Sequence, residues 1–184
     1  MVFYICNISN MKRIFLTLFI FLSAITLYAG NDVEFIKGNE SFFKDAAGEV
    51  FLNVSFENAT FDNQMPLTDK FQDIERKRRI AMQGFTTESH EQLKKIRIVP
   101  SVTDAIYKIT IIVTNVDAQT SLKWSGVKGL WVKIWGKIVV TDIKEDKEVF
   151  VAEFEEVKGN SGAFSPIVDR AFNNAFCELV KCLK

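Results

Sequence analysis

The chain has 184 residues, 48% of them hydrophobic, and balances 23 Lys and Arg against 23 Asp and Glu. A formal net charge of zero lacks the basic excess that nucleic acid demands, so no nucleic-acid partner is expected. Three cysteines are too few for a disulfide-stapled scaffold, so the fold must be held by a core to which many of the 17 Phe contribute.

The chain opens on an export signal. Met11-Lys12-Arg13 is a short positive segment, and Ile14 to Leu27 is apolar but for Thr17, Ser23 and Thr26. The run ends at Tyr28-Ala29-Gly30, small residues beside the polar Asn31-Asp32. Charge, apolar run and small-residue boundary in that order describe a cleavable secretory signal. A spanning helix needs about 20 apolar residues, more than this run holds, so no stable membrane span is expected after cleavage. The expected division is residues 1–29 as signal peptide and residues 30–184 as one domain, with residues 1–10 upstream of a better start at Met11. The leader takes Lys12 and Arg13 and no acid, leaving 21 basic and 23 acidic residues, a net charge near −2. The expected location is periplasmic or extracellular, in association with the envelope. No Cys stands at the cut to carry a lipid.

Val33 to Lys37 reads as a short strand. Val50, Leu52, Val54 and Phe56 alternate with Phe51, Asn53, Ser55 and Glu57, the period of a half-buried strand. Between Phe71 and Ile96 the period changes. Phe71, Ile74, Arg78, Ala81, Met82 and Phe85 fall at helical spacing, and Leu93 resumes the stripe. Gly84 and the Thr86-Thr87 pair weaken such a helix by about 1 kcal/mol, so one long helix is expected, with Gly84 as the point where it could break. A short strand Arg97-Val99 and the Pro100 turn follow.

Ala105 to Val116 is the strongest strand by pattern. Leu130 to Ile143 and Glu148 to Val157 then read as a hairpin around Lys144-Glu145-Asp146. With Ile143 opposite Lys147, Val140 meets Phe150, Ile138 meets Ala152 and Gly136 meets Phe154, all apolar or small on one face. On the reverse face Lys137 meets Glu153, a favourable cross-strand pair.

The closing helix has Ser165 as N-cap, Pro166 at its first position and Asp169 at the positive end of its dipole. Val168, Ala171, Phe172, Ala175, Leu179 and Leu183 form its apolar stripe. A turn of 100° per residue puts Cys182 inside that stripe and Cys177 opposite it, so Cys177 is expected to face solvent. The two are not expected to bridge, because five residues of helix rise ~7.5 Å and a disulfide needs Cα atoms within about 7 Å. The elements together predict an α+β class, a mainly antiparallel twisted sheet with two helices packed on one face in two layers.

The second half of the chain carries a resemblance. The strand "DAIYKITIIVTNVD", the hairpin "GKIVVTDIKEDKEVF", the segment "VKGNSG" and the ending "CELVKCLK" together resemble uncharacterised secreted or lipoprotein-like α+β domains of Gram-negative bacteria. The resemblance implies an α+β fold and a periplasmic or envelope location. It implies no activity and no functional residues, and the lipid-anchoring cysteine of some relatives is absent here.

Chemistry is sparse. His90 is the single histidine and sits in the hydrophilic Glu88-Ser89-His90-Glu91-Gln92 stretch, which places it on a solvated helix face. Neither His/Cys metal ligands nor a glycine-rich phosphate loop is present, so no metal and no cofactor is expected. The basic run Glu75-Arg76-Lys77-Arg78-Arg79 spreads around its helix as a solvated surface. The candidate binding face is in the hairpin. Trp131, Lys133, Trp135 and Lys137 alternate along one side of their strand, and Trp124 and Lys128 precede them. Large aromatics beside cations grip a glycan, a lipid headgroup or a protein. The competing structural reading is a tryptophan pair under the loop 117–129, with lysine stems covering the rings. The first functional reading is an exported non-catalytic domain that binds another cell-envelope component. The second is a small-ligand or glycan-binding module using the Trp/Lys face. The third is a hydrolase built on two carboxylates.

Overall fold

The computed structural model describes residues 32–39, 41–122, 128–162 and 168–184. The elements in chain order are β1 (Asp32–Lys37), α1 (Phe42–Asp45), β2 (Gly48–Ser55), β3 (Thr60–Phe61), β4 (Met65–Pro66) and α2 (Leu67–Lys70). There follow α3 (Ile74–Gln92), β5 (Ile96–Val99), β6 (Tyr107–Leu122), β7 (Lys128–Asp142), β8 (Lys147–Asn160) and α4 (Val168–Cys182). The content is mixed, with strands dominant.

Among the described residues the strands form one sheet in the order β1-β8-β7-β6-β2-β5, with β3 and β4 to one side. The sheet is mixed, with antiparallel pairing in the majority as expected and a parallel part that was not. β1, β8, β7 and β6 pair antiparallel, whereas β2 pairs parallel with both β5 and β6. Parallel neighbours require a crossover, and α3 provides it between β2 and β5. Alternation within β2 is the same for either direction, so periodicity alone does not set it.

The hairpin pairs as its pattern predicts in the middle. Val140 faces Phe150, Ile138 faces Ala152, Gly136 faces Phe154 and Lys137 faces Glu153. At the turn the pairing is Asp142 with Lys147, one residue away from the expected Ile143 with Lys147. The Asp142 carboxylate accepts from the backbone N–H groups of Lys144 and Glu145 at 2.9 and 3.0 Å, which tightens the turn. A bulge beside Val149 then restores the core register. A second irregularity lies opposite Trp135, where Glu156 has a φ of 51°.

Helix α3 starts at an Asp73 cap, whose carboxylate accepts from the Arg76 N–H at 2.8 Å. It runs unbroken through Gly84 as the one long helix expected, without a break at the weak point. A Cβ at Gly84 would stand 2.3 Å from the backbone oxygen of Asn173, so the glycine lets α3 and α4 approach closely. Asn173 Nδ2 and Cys177 Sγ donate to the carbonyls of Ile80 and Gly84 across the same crossing, at 3.3 and 3.4 Å.

In α4 the expected Ala171, Phe172, Ala175 and Leu179 are buried and Val168 is half-buried, and Leu183, one residue beyond the helix, is buried too. Phe176 and Val180 are buried as well, because α4 packs on α3 in addition to β7 and β8. A helix with two neighbours buries a wider arc than one lying on a sheet alone. Ser165 and Pro166 lie outside the described residues.

Candidate functional site

On β7 the residues Leu130, Val132, Ile134, Ile138 and Val140 are buried in the core. The alternate residues Trp131, Lys133, Trp135 and Lys137 therefore share the opposite face. The strand brings the predicted set together in rows with its neighbours. Trp131 lies between Gln119 and Asn160, Lys133 between Asp117 and Lys158, and Lys137 between Ile112 and Glu153. Trp135 lies beside Asn115, whose buried Oδ1 accepts from Thr60 Oγ1 and from the Asn63 N–H, both at 2.9 Å. Trp131, Lys133 and Trp135 are half-buried and Lys137 is exposed. Trp124 lies outside the described residues. Lys128 opens β7 opposite Leu122, and its side chain lies outside them too.

The electrostatics of this face are paired. Glu156, at the bulge, takes Lys133 Nζ at 3.4 Å and Lys158 Nζ at 3.3 Å. The hydrogen bond from Lys158, with help from Lys133, holds the Glu156 carboxyl below its ordinary range despite some burial. Lys133 is therefore tied across the strands to Glu156.

Each tryptophan borders a recess. Trp135 adjoins a dimple of about 240 Å³ between Gly136, Thr114 and Glu153. Trp131 adjoins a larger cleft of about 420 Å³, which reaches from the ends of β7 and β8 to α3 and α4. Asn160, Asn174 and Glu88 line it, and periodicity did not single these out. One signal did exist for Asn174. The Asn173-Asn174 pair interrupts a good helix former's sequence, and such residues need a reason in a helix interior. Asn173 bonds α3 as described, and Asn174 Nδ2 donates to the Asn160 carbonyl at 2.6 Å.

Other singled-out residues fall elsewhere. His90 is exposed on α3. The basic run is partly absorbed by structure. Lys77 bonds the Asp169 carboxylate, and Arg76 reaches it at 2.6 Å. Burial pushes the Asp169 carboxyl up, but Lys77 and Arg76 together outweigh it and hold it below its ordinary range. Cys177 corrects the expectation of a solvent-facing thiol: it is half-buried against α3, and burial first and Glu88 second push its pKa up. Cys182 is half-buried, as its place in the stripe predicts, and neither thiol is in a disulfide. Among the described residues no helix is long and apolar enough to cross a membrane.

No protein-family model and no curated protein matches the chain. Among solved structures the chain is similar to a leucine-to-methionine variant of the PelC dodecamer from Paraburkholderia phytofirmans. Identity is 14% and the TM-score 0.40, over 84% of this chain and 97% of that one. The PelC dodecamer from the same organism aligns at 13% identity and a TM-score of 0.39, over 84% of this chain and 96% of that one. Similarities this low do not establish a shared fold.

Proposed function

We propose that the chain is an exported, non-catalytic α+β domain that holds another cell-envelope component on the outward face of β7. One observation carries the reading. Trp131 and Trp135 stand on the face opposite the buried core, and each borders a recess. Tryptophan contributes more to recognition than most side chains, because it brings a large rigid apolar area with one polar N–H. In this reading the partner lies along β7 at Trp135 and over the cleft at the ends of β7 and β8, which α3 and α4 also line. The leader that ends at Ala29 delivers the domain to the envelope.

Two experiments test it. Mass spectrometry of the exported protein should find a chain that begins near Gly30 or Asn31; recovery of a species retaining Met11 to Leu27 would refute export by cleavage. The purified protein should capture a defined component from envelope extract. Trp131→Ala and Trp135→Ala should weaken that capture roughly tenfold or more while leaving the melting temperature close to wild type. Undiminished capture by the double variant would place the site elsewhere.

A further inference from the structure

Resting on that reading, we propose that the cleft beside Trp131 is a subsite for a neutral hexose unit of an envelope glycan. Its volume of about 420 Å³ lies within the range of small-molecule sites, roughly 300–1,000 Å³. Trp131, half-buried, is the aromatic residue of its lining.

The two amides are held in complementary roles. Asn160 Oδ1 accepts from the Gly162 N–H at 2.8 Å, which leaves its Nδ2 hydrogens as donors. Asn174 commits Nδ2 to the Asn160 carbonyl at 2.6 Å, which leaves its Oδ1 as an acceptor. A donor and an acceptor pinned by bonds behind them match vicinal hydroxyls, each of which both gives and receives a hydrogen bond.

The charges at the cleft decide against an ionic ligand. Two ammonium groups and two carboxylates line it: Lys158, which Glu156 holds at 3.3 Å, and Lys181, with Glu88 and Glu178. Lys181 pairs with Glu178 at 2.8 Å, and Glu88 accepts from Gln92 Nε2 at 2.9 Å. An anion would meet the two carboxylates and a cation the two ammonium groups, so neither finds an unopposed counter-charge. A wholly apolar ligand would leave the amides desolvated and unpaired. A sugar ring meets both demands, with its C–H face against the indole and its hydroxyls toward the amides and charged rim.

The test is titration of the purified protein with three sets of oligosaccharides, followed by calorimetry and tryptophan fluorescence. The sets are neutral gluco-, manno- and galacto-oligomers, cationic glucosamine oligomers and anionic galacturonate oligomers. At least one neutral oligomer should bind more tightly than either charged set. Trp131→Ala should weaken it roughly tenfold or more, whereas Trp131→Phe, which keeps an aromatic wall, should retain most of the affinity. Asn160→Asp keeps the acceptor for Gly162 and removes the donors. It should cost about tenfold with an unchanged melting temperature. Preference for a charged set, no binding of any set, or neutral binding indifferent to both substitutions would overturn the assignment. If envelope capture still depends on Trp135 while no sugar binds, the hexose assignment fails alone. If capture fails too, the binding-face reading falls with it.

Discussion

Replacing Gly84 by Ala sets two effects of opposite sign against each other. Alanine is the better helix former by about 1 kcal/mol in a helix interior, so on propensity alone Gly84→Ala stabilises α3. Packing opposes it. The added Cβ would lie 2.3 Å from the Asn173 backbone oxygen and 3.1 Å from its carbonyl carbon. Both obstacles are main chain, so no side chain can swing aside. Normal contact requires α3 and α4 to part by about 1 Å, and a gap of that size forfeits a quarter to a half of each dispersion contact it opens. The loosened crossing includes the fully buried Ala81, Phe85 and Phe176 and the Asn173 and Cys177 hydrogen bonds to α3. Overpacking of this kind costs about 3 kcal/mol at its upper typical range, which leaves a net destabilisation of about 2 kcal/mol. For a domain of this size that is a fall in melting temperature of roughly 4–8 °C. Thermal unfolding followed by circular dichroism measures it, with the exposed neighbour Gln83→Ala as a control that should stay within about 0.5 kcal/mol of wild type. A rise in melting temperature for Gly84→Ala would show that the helices are not in close contact there.

Three further outcomes are expected. Phe154 is 1% exposed at the centre of the β7–β8 pairing. Phe154→Ala should cost about 3–5 kcal/mol in urea unfolding, and a cost below 1 kcal/mol would displace it from the core. Asp169 has its folded pKa held down by Lys77 and Arg76. Its pairing therefore stabilises the fold above the unfolded carboxyl pKa of about 3.9, and that stability is lost as pH falls through the lower folded value. Asp169→Asn should lose about 1–2 kcal/mol at pH 7 and converge on wild type in acid; a gap that persists at low pH would refute the charge pairing. Cys177 should react slowly with iodoacetamide in the native protein at pH 7 and rapidly after unfolding, because its half-buried thiol has a raised pKa. Fast native labelling at Cys177 would mean that α4 does not pack on α3 through this side.

What the sequence by itself determined is local in origin. The middle register of the β7–β8 hairpin was legible because a period of two on adjacent strands leaves one alignment with Gly136, Ile138 and Val140 against Phe154, Ala152 and Phe150. The same alternation put Trp131, Lys133, Trp135 and Lys137 on one face, and the helical stripe of α4 was readable down to Leu183. The tertiary structure alone decided the parallel direction of β2, since alternation is blind to strand direction and neighbour. It decided that Gly84 is a close crossing and not merely a weak point, because a missing side chain reads as weakness until the opposing backbone of Asn173 is in place. It turned Cys177 inward for the same reason: a wheel shows one helix's own faces, and the second face of α4 is buried only because α3 lies on it. The cleft beside Trp131 joins residues from β7, β8, α3 and α4, so its amides and charges become neighbours only when the chain is folded.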